Sequence, residues 1–201
     1  MSKRGIVAQL VALAEGLGLP CDCSLGGDIA IFSPDRRLRY VLTRKIGESD
    51  RMLVGIGLNP STANAFQNDP TIRRGIGFGQ TWNCGLYVML NSSAYRATFP
   101  QDMIMAAVEG VDVVGEHNDL FIRWVFSRVL PDDVVLAAWG THANASRAEA
   151  IAQHARDTGV ELQCLGTTKH GAPKHPLYIA AKTKPQPWNL RSSMARLAGD
   201  V

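Results

Sequence analysis

The chain is predicted to fold as a three-layer α/β/α domain around a central, mainly parallel sheet of four strands, with an N-terminal β-hairpin added. Three observations predict it. Four short runs, at about 51–58, 85–91, 133–138 and 161–166, are apolar on both faces, as strands buried in a parallel sheet are. Segments with helical spacing separate them, the alternation expected of parallel strands covered by helices through right-handed crossovers. Each run also discharges polar residues at the same end: Asn59-Pro60-Ser61, Asn91-Ser92-Ser93, Thr141-His142 after Trp139-Gly140, and His175-Pro176 beyond a Gly/Lys-rich loop.

The elements follow in order. Residues 5–17 carry Ile6, Leu10, Leu13 and Leu17 at helical spacing. Segments 28–32 and 38–43 flank Ser33-Pro34-Asp35-Arg36-Arg37 and read as a hairpin. The first core strand stops at Pro60, which has no N–H to give a sheet ladder. Asp69 as N-cap and Pro70 at the first helical position open a helix that runs to about Trp82. Another helix follows Pro100. A stronger one spans about 118–129, with Leu120, Phe121, Trp124, Val125 and Phe126 inward, and a last one spans about 144–158. The N-terminal helix and hairpin (5–44), a core (about 50–180) and a basic tail after about 188 form a single domain, 1–201.

At 201 residues the chain suits one domain whose core needs no staple. A hydrophobic content of 46% and a charged content of 19% fit a soluble globule. The apolar runs are strand-sized, so no membrane span is expected. Met1-Ser2-Lys3-Arg4 leads into an amphipathic segment without a cleavage site, which points to the cytoplasm. Cys21 and Cys23 form C-x-C rather than C-x-x-C, and Cys84 and Cys164 lie beside apolar runs; reduced thiols, no metal and no cofactor are expected. The net charge of +3 is unevenly spread, with six cations against one acid from Lys169 onward. Lys169, Lys174 and Lys182, among His170, His175, Tyr178 and Trp188, suit the phosphates of DNA or of a nucleotide substrate, although a solvated tail has the same composition. Nothing in the sequence specifies an oligomeric state.

Ligands of open α/β sheets bind beyond the carboxyl ends of the strands, so the strand-end polar residues form the candidate site. Their order resembles the uracil-DNA glycosylase superfamily over about 50–180. Gly57-Leu58-Asn59-Pro60-Ser61 resembles the Gly-Ile-Asn-Pro-Gly loop of its mismatch- and thymine-specific branch. Met89-Leu90-Asn91 resembles a second strand ending in a base-reading asparagine. Ala138-Trp139-Gly140 resembles a Leu-x-Trp-Gly-type run, and His175-Pro176-Leu177 resembles a His-Pro-Ser loop. More closely, Asn59-Pro60-Ser61-Thr62-Ala63, Asp69-Pro70-Thr71-Ile72-Arg73-Arg74, Ala137-Ala138-Trp139-Gly140 and His175-Pro176-Leu177-Tyr178 resemble the bacterial and phage domain-of-unknown-function family 1643. That likeness extends over nearly the whole chain, including Phe32-Ser33-Pro34 and Tyr40-Val41-Leu42-Thr43-Arg44, and brings no assigned reaction.

The glycosylase resemblance implies that Asn59 positions a water or the sugar, Asn91 reads the base edge and His175 donates to the base oxygen. Asparagine is no strong base, so Asp69, the nearest carboxylate in sequence, is the candidate to deprotonate water; its capping role explains it equally well. Ser61 stands where efficient uracil glycosylases have an aromatic that crowds carbon five, which directs the expectation to a modified pyrimidine. Arg73 and Arg96 are candidates for a substrate phosphate, Arg73 equally for an exposed basic face, and His142 for substrate contact or a helix cap. Three functions follow: a glycosylase-like hydrolase, a non-catalytic nucleic-acid-binding module, or a hydrolase or transferase acting on a phosphate-bearing small molecule. A steep salt dependence of DNA binding separates the first two from the third. Base release separates the first from the second.

Overall fold

The computed structural model describes residues 3–189. Helix α1 (Lys3–Gly16) precedes three strands, β1 (Cys21–Cys23), β2 (Ile29–Phe32) and β3 (Arg39–Lys45). Then come β4 (Met52–Gly57), α2 (Pro70–Thr81), β5 (Leu86–Asn91), α3 (Pro100–Val108), α4 (Asn118–Phe126), β6 (Val134–Ala137), α5 (Ala145–Thr158), β7 (Leu162–Cys164), a 3-10 turn (Pro176–Tyr178) and β8 (Gln186–Pro187). The part of the expected basic tail that holds Arg191 and Arg196 lies outside the described residues.

All eight strands join one sheet in the order β1-β2-β3-β5-β4-β6-β7-β8. This corrects the expectation of a four-stranded, mainly parallel sheet. The four core strands do lie side by side and parallel, as β5-β4-β6-β7. The other four pairings are antiparallel, so antiparallel pairings predominate. The physical reason is the demand of unpaired strand edges. β3 is buried along all but its last residue, and its backbone groups find partners on β5, with Leu42 opposite Met89. The hairpin is thus part of the sheet rather than an addition to it. At the opposite edge the Trp188 N–H donates to the Leu162 carbonyl (2.8 Å), and its indole packs edge-on against Trp139 with centroids 5.2 Å apart. Trp188, read from sequence as part of a phosphate-facing segment, is a core residue.

Apolar side chains fill both faces of the sheet. Leu10 of α1, Phe121 and Phe126 of α4 and Ile151 of α5 pack on one face with Val54, Val88 and Val135. Ile72 and Phe78 of α2 pack on the other with Leu53, Tyr87 and Leu136. Helix α2 lies unusually close to the strands, because its Gly75 faces the Tyr87 ring. A Cβ there would stand 2.5 Å from that ring.

Candidate functional site

The chain leaves β4 for α2 on one face of the sheet and leaves β6 for α5 on the other. Adjacent parallel strands whose connections diverge open a crevice at their carboxyl ends, the topological switch point of an open sheet. Here β4 and β6 are those neighbours, with Ile56 opposite Ala137. The crevice is therefore bounded by Gly57-Leu58-Asn59 on one side and Ala138-Trp139-Gly140 on the other.

Asn59 sits in the loop beyond β4. Its Nδ2 donates to the carbonyls of Ala97 (2.8 Å) and Pro60 (3.1 Å), clipping that loop to the one following β5. Asn91, the last residue of β5, pairs with Gly57 in register and shares the α2 face with Met89 and Tyr87. A Cβ at position 57 would stand 2.9 Å from Asn91 Oδ1, so glycine leaves room for this amide. Asn91 is 1% exposed, yet among the described residues neither Nδ2 nor Oδ1 has a hydrogen-bond partner. Such orphaned buried groups are rare in native folds and call for an explanation. The Asn91 main-chain carbonyl is by contrast held by Asn118 Nδ2 at 3.0 Å.

His175 caps the 3-10 turn, its Nδ1 accepting from the Leu177 N–H at 3.3 Å. The β6 end reaches it, since a Cβ at Gly140 would contact His175 Cβ at 3.8 Å. Burial holds the imidazole below its ordinary pKa, against the opposing pull of the Asp69 carboxylate. Asp69 is buried and does cap α2, its Oδ1 accepting from the Ile72 N–H at 2.8 Å. The structure therefore brings Asn59, Asn91, Asp69 and His175 to one end of the sheet.

Other candidates are placed elsewhere. Arg73 is exposed and donates to the Asn68 carbonyl. His142 is exposed in the turn before α5. Ser61 and Arg96 lie together in an open groove beside the Asn59 loop. Lys169, Lys174 and Lys182 are all exposed, in the segment between β7 and β8. Among the described residues, no group of three or more His, Cys, Asp or Glu side chains is placed to hold a metal ion. No helix among them is long and apolar enough to cross a membrane.

Sequence reasoning missed two arginines of β3. Arg39 is 1% exposed and donates to the Ala63 carbonyl at 2.6 Å; burial pulls its pKa down to about 10, with Asp69 opposing. Arg44, also buried, donates to Asn68 Oδ1 (2.6 Å) and to the Gln67 carbonyl (3.2 Å). Together they hold the loop between β4 and α2 over the sheet, and Asp69 at its end faces both. The signal was present: an arginine in an otherwise apolar strand is almost never buried without a partner to satisfy it.

A model of the family described as "Protein of unknown function (DUF1643)" matches residues 39–177, a span that includes both Arg39 and His175. No curated protein and no solved structure matches the chain.

Proposed function

The chain belongs to the DUF1643 family, and we propose from the geometry of its site that it is a glycosylase-like hydrolase acting on the N-glycosidic bond of a substituted pyrimidine, in DNA or in a nucleotide. The observation that carries this reading is the orphaned Asn91 amide beside the switch point. Leaving a buried donor or acceptor unsatisfied costs about 1–3 kcal/mol. A carboxamide offers a donor beside an acceptor, the complement of a base edge. A flipped base would satisfy both.

His175 fits the second requirement, stabilising a departing anionic base. Its pKa lies below the ordinary value and its Nδ1 is an acceptor, so the neutral ring carries its proton on Nε2. Nε2–H then donates to the base oxygen as negative charge develops there. Asn59, its donor committed to Ala97 and Pro60, offers Oδ1 to a water or a sugar hydroxyl. Asp69 supplies the carboxylate for deprotonating that water. The small Ser61 side chain leaves space for a substituent on the pyrimidine.

One observation favours a second reading. Both groups assigned to the water carry structural bonds, Asn59 to the Ala97 carbonyl and Asp69 to the Ile72 N–H. A binding module that holds a base without cleaving it would need nothing more. Incubation with oligonucleotides carrying uracil, thymine mismatches or 5-substituted pyrimidines, read as abasic sites and free base, decides between them. The hydrolase is expected to release base, and His175→Ala to lower the rate by roughly 10²–10³. Binding without release on every substrate would leave the module.

A further inference from the structure

The hairpin turn between β2 and β3 leans on the loop that follows β5. The Arg96 N–H donates to the Arg37 carbonyl (2.9 Å), and Arg96 Nη1 donates to the Arg36 carbonyl (3.0 Å). These segments wall an open groove whose lining includes Arg36, Arg37, Arg96, Ser61, Thr62 and Thr98. The Arg36 and Arg96 guanidiniums stand 4.2 Å and 5.2 Å from the centroid of the same Phe32 ring. Two like charges are thus gathered at one aromatic ring.

Their partners are unequal. Arg36 has Asp22, which accepts from both of its terminal nitrogens. Arg96 has the Arg36 carbonyl, and its Nε is buried with no partner. Burial and then the Arg36 charge push the Arg96 pKa down, the mark of a cation held where lost hydration and a like-charged neighbour both disfavour it. The Arg37 guanidinium donates to the Tyr95 hydroxyl at 3.5 Å, with the Asp35 charge nearby. Arg36 itself adopts φ +61°, a left-handed conformation uncommon outside glycine and often kept at functional sites. The site has cations, hydroxyls and an unspent N–H donor; the Asp22 carboxylate opposes the shift of Arg96, but its hydrogen bonds go to Arg36.

We propose that this groove is a phosphate subsite, in which Arg96 and Arg37 grip the phosphate oxygens and Thr62 adds a hydroxyl donor. It rests on the base-site reading of Asn91, because the phosphate would belong to the same nucleotide. The wall of the groove adjoins that site: Asn59 Nδ2 donates to the Ala97 carbonyl, and the Ala97 N–H donates to the Pro60 carbonyl (2.8 Å). Guanidinium forks match phosphate oxygens bidentately, and such charged hydrogen bonds are about twice as strong as neutral ones.

The test is calorimetric titration of the full chain at constant ionic strength with thymidine, thymidine 5′-monophosphate and an unmodified single-stranded oligonucleotide. The monophosphate or the oligonucleotide is expected to bind at least about tenfold more tightly than the nucleoside. Arg96→Gln should remove most of that advantage, and so should Arg37→Gln, whose exposed side chain donates to the Tyr95 hydroxyl. Loss of the oligonucleotide's advantage assigns the groove to a backbone diester; loss of the monophosphate's assigns it to a terminal phosphate. Equal affinity for nucleoside and phosphorylated probes, or an advantage that survives in both variants, overturns the subsite. Asn91→Ala should weaken all three probes alike. A phosphate advantage without base release on any substrate would therefore sink the hydrolase and leave the groove standing.

Discussion

Under the proposed function, Asn91 trades stability for recognition. Its amide is buried and unpaired, whereas an apolar side chain of similar size would bury there without that cost. Asn91→Leu is expected to leave stability unchanged or raise it by about 1 kcal/mol in urea denaturation, while abolishing binding of any pyrimidine probe. His175 carries a pH signature. With its folded pKa below the ordinary 6.5, the unfolded chain takes up the proton first as the pH falls. The contribution of the neutral ring is complete above about 6.5 and is lost as the pH drops toward the lower folded value. Unfolding midpoints measured between pH 7 and 5 should fall more steeply for the parent chain than for His175→Gln. Both residues were legible in sequence because each ends or follows an apolar run. The strand pattern could have flagged Arg39 and Arg44, but not their partners, because what they organise is a loop some twenty residues downstream, and only the folded sheet brings the two together.

Helix α2 joins sequence signal to packing at the scale of an element. Its start was legible from Asp69 and Pro70, and the structure bears that out with the Asp69 cap. Its closeness to the sheet was not, because a glycine in a sequence does not say which ring it will meet. Gly75 meets Tyr87, whose hydroxyl donates to Met89 Sδ (3.0 Å) inside the core and which has nowhere to move. Gly77, on the same helix, has open space where a Cβ would go. Alanine improves helix propensity by about 0.8–1 kcal/mol at either site, but overpacking costs roughly 1–3 kcal/mol at the first alone. Gly77→Ala should therefore raise the thermal midpoint and Gly75→Ala should lower it, a sign change within one helical turn. Strands β1 and β8, of three and two residues, escaped sequence reading for a different reason. They are too short to show a period and exist only because a sheet edge is there to pair with.

Across the whole molecule, the legible part is the parallel block β5-β4-β6-β7, and the illegible part is what closes its edges. Periodicity reports which residues are buried, but it does not report which exposed edge a hairpin or a terminal segment will find. Under the proposed function the closure has a consequence. The hairpin turn brings Arg36 and Arg37 to the loop after β5, on one side of the switch point. The segment after β7 presents Lys169 and Lys174 on the other side. A crevice between two basic flanks is suited to a strand of nucleic acid laid across the carboxyl ends of the sheet, with one base turned in toward Asn91. The two flanks should then differ in kind. Lys174 is exposed, with no ion pair among the described residues, so Lys174→Ala should weaken binding about equally for all sequences and flatten the salt dependence by roughly one unit. Arg96→Gln should flatten it by a similar amount and also weaken the isolated monophosphate, which is too small to reach both flanks. Fluorescence anisotropy of a labelled single-stranded oligonucleotide between 50 and 200 mM salt measures both slopes. A chain that binds no nucleic acid in that range yet holds the monophosphate through Arg96 would have its substrate among free nucleotides, with the lysine flank merely solvated.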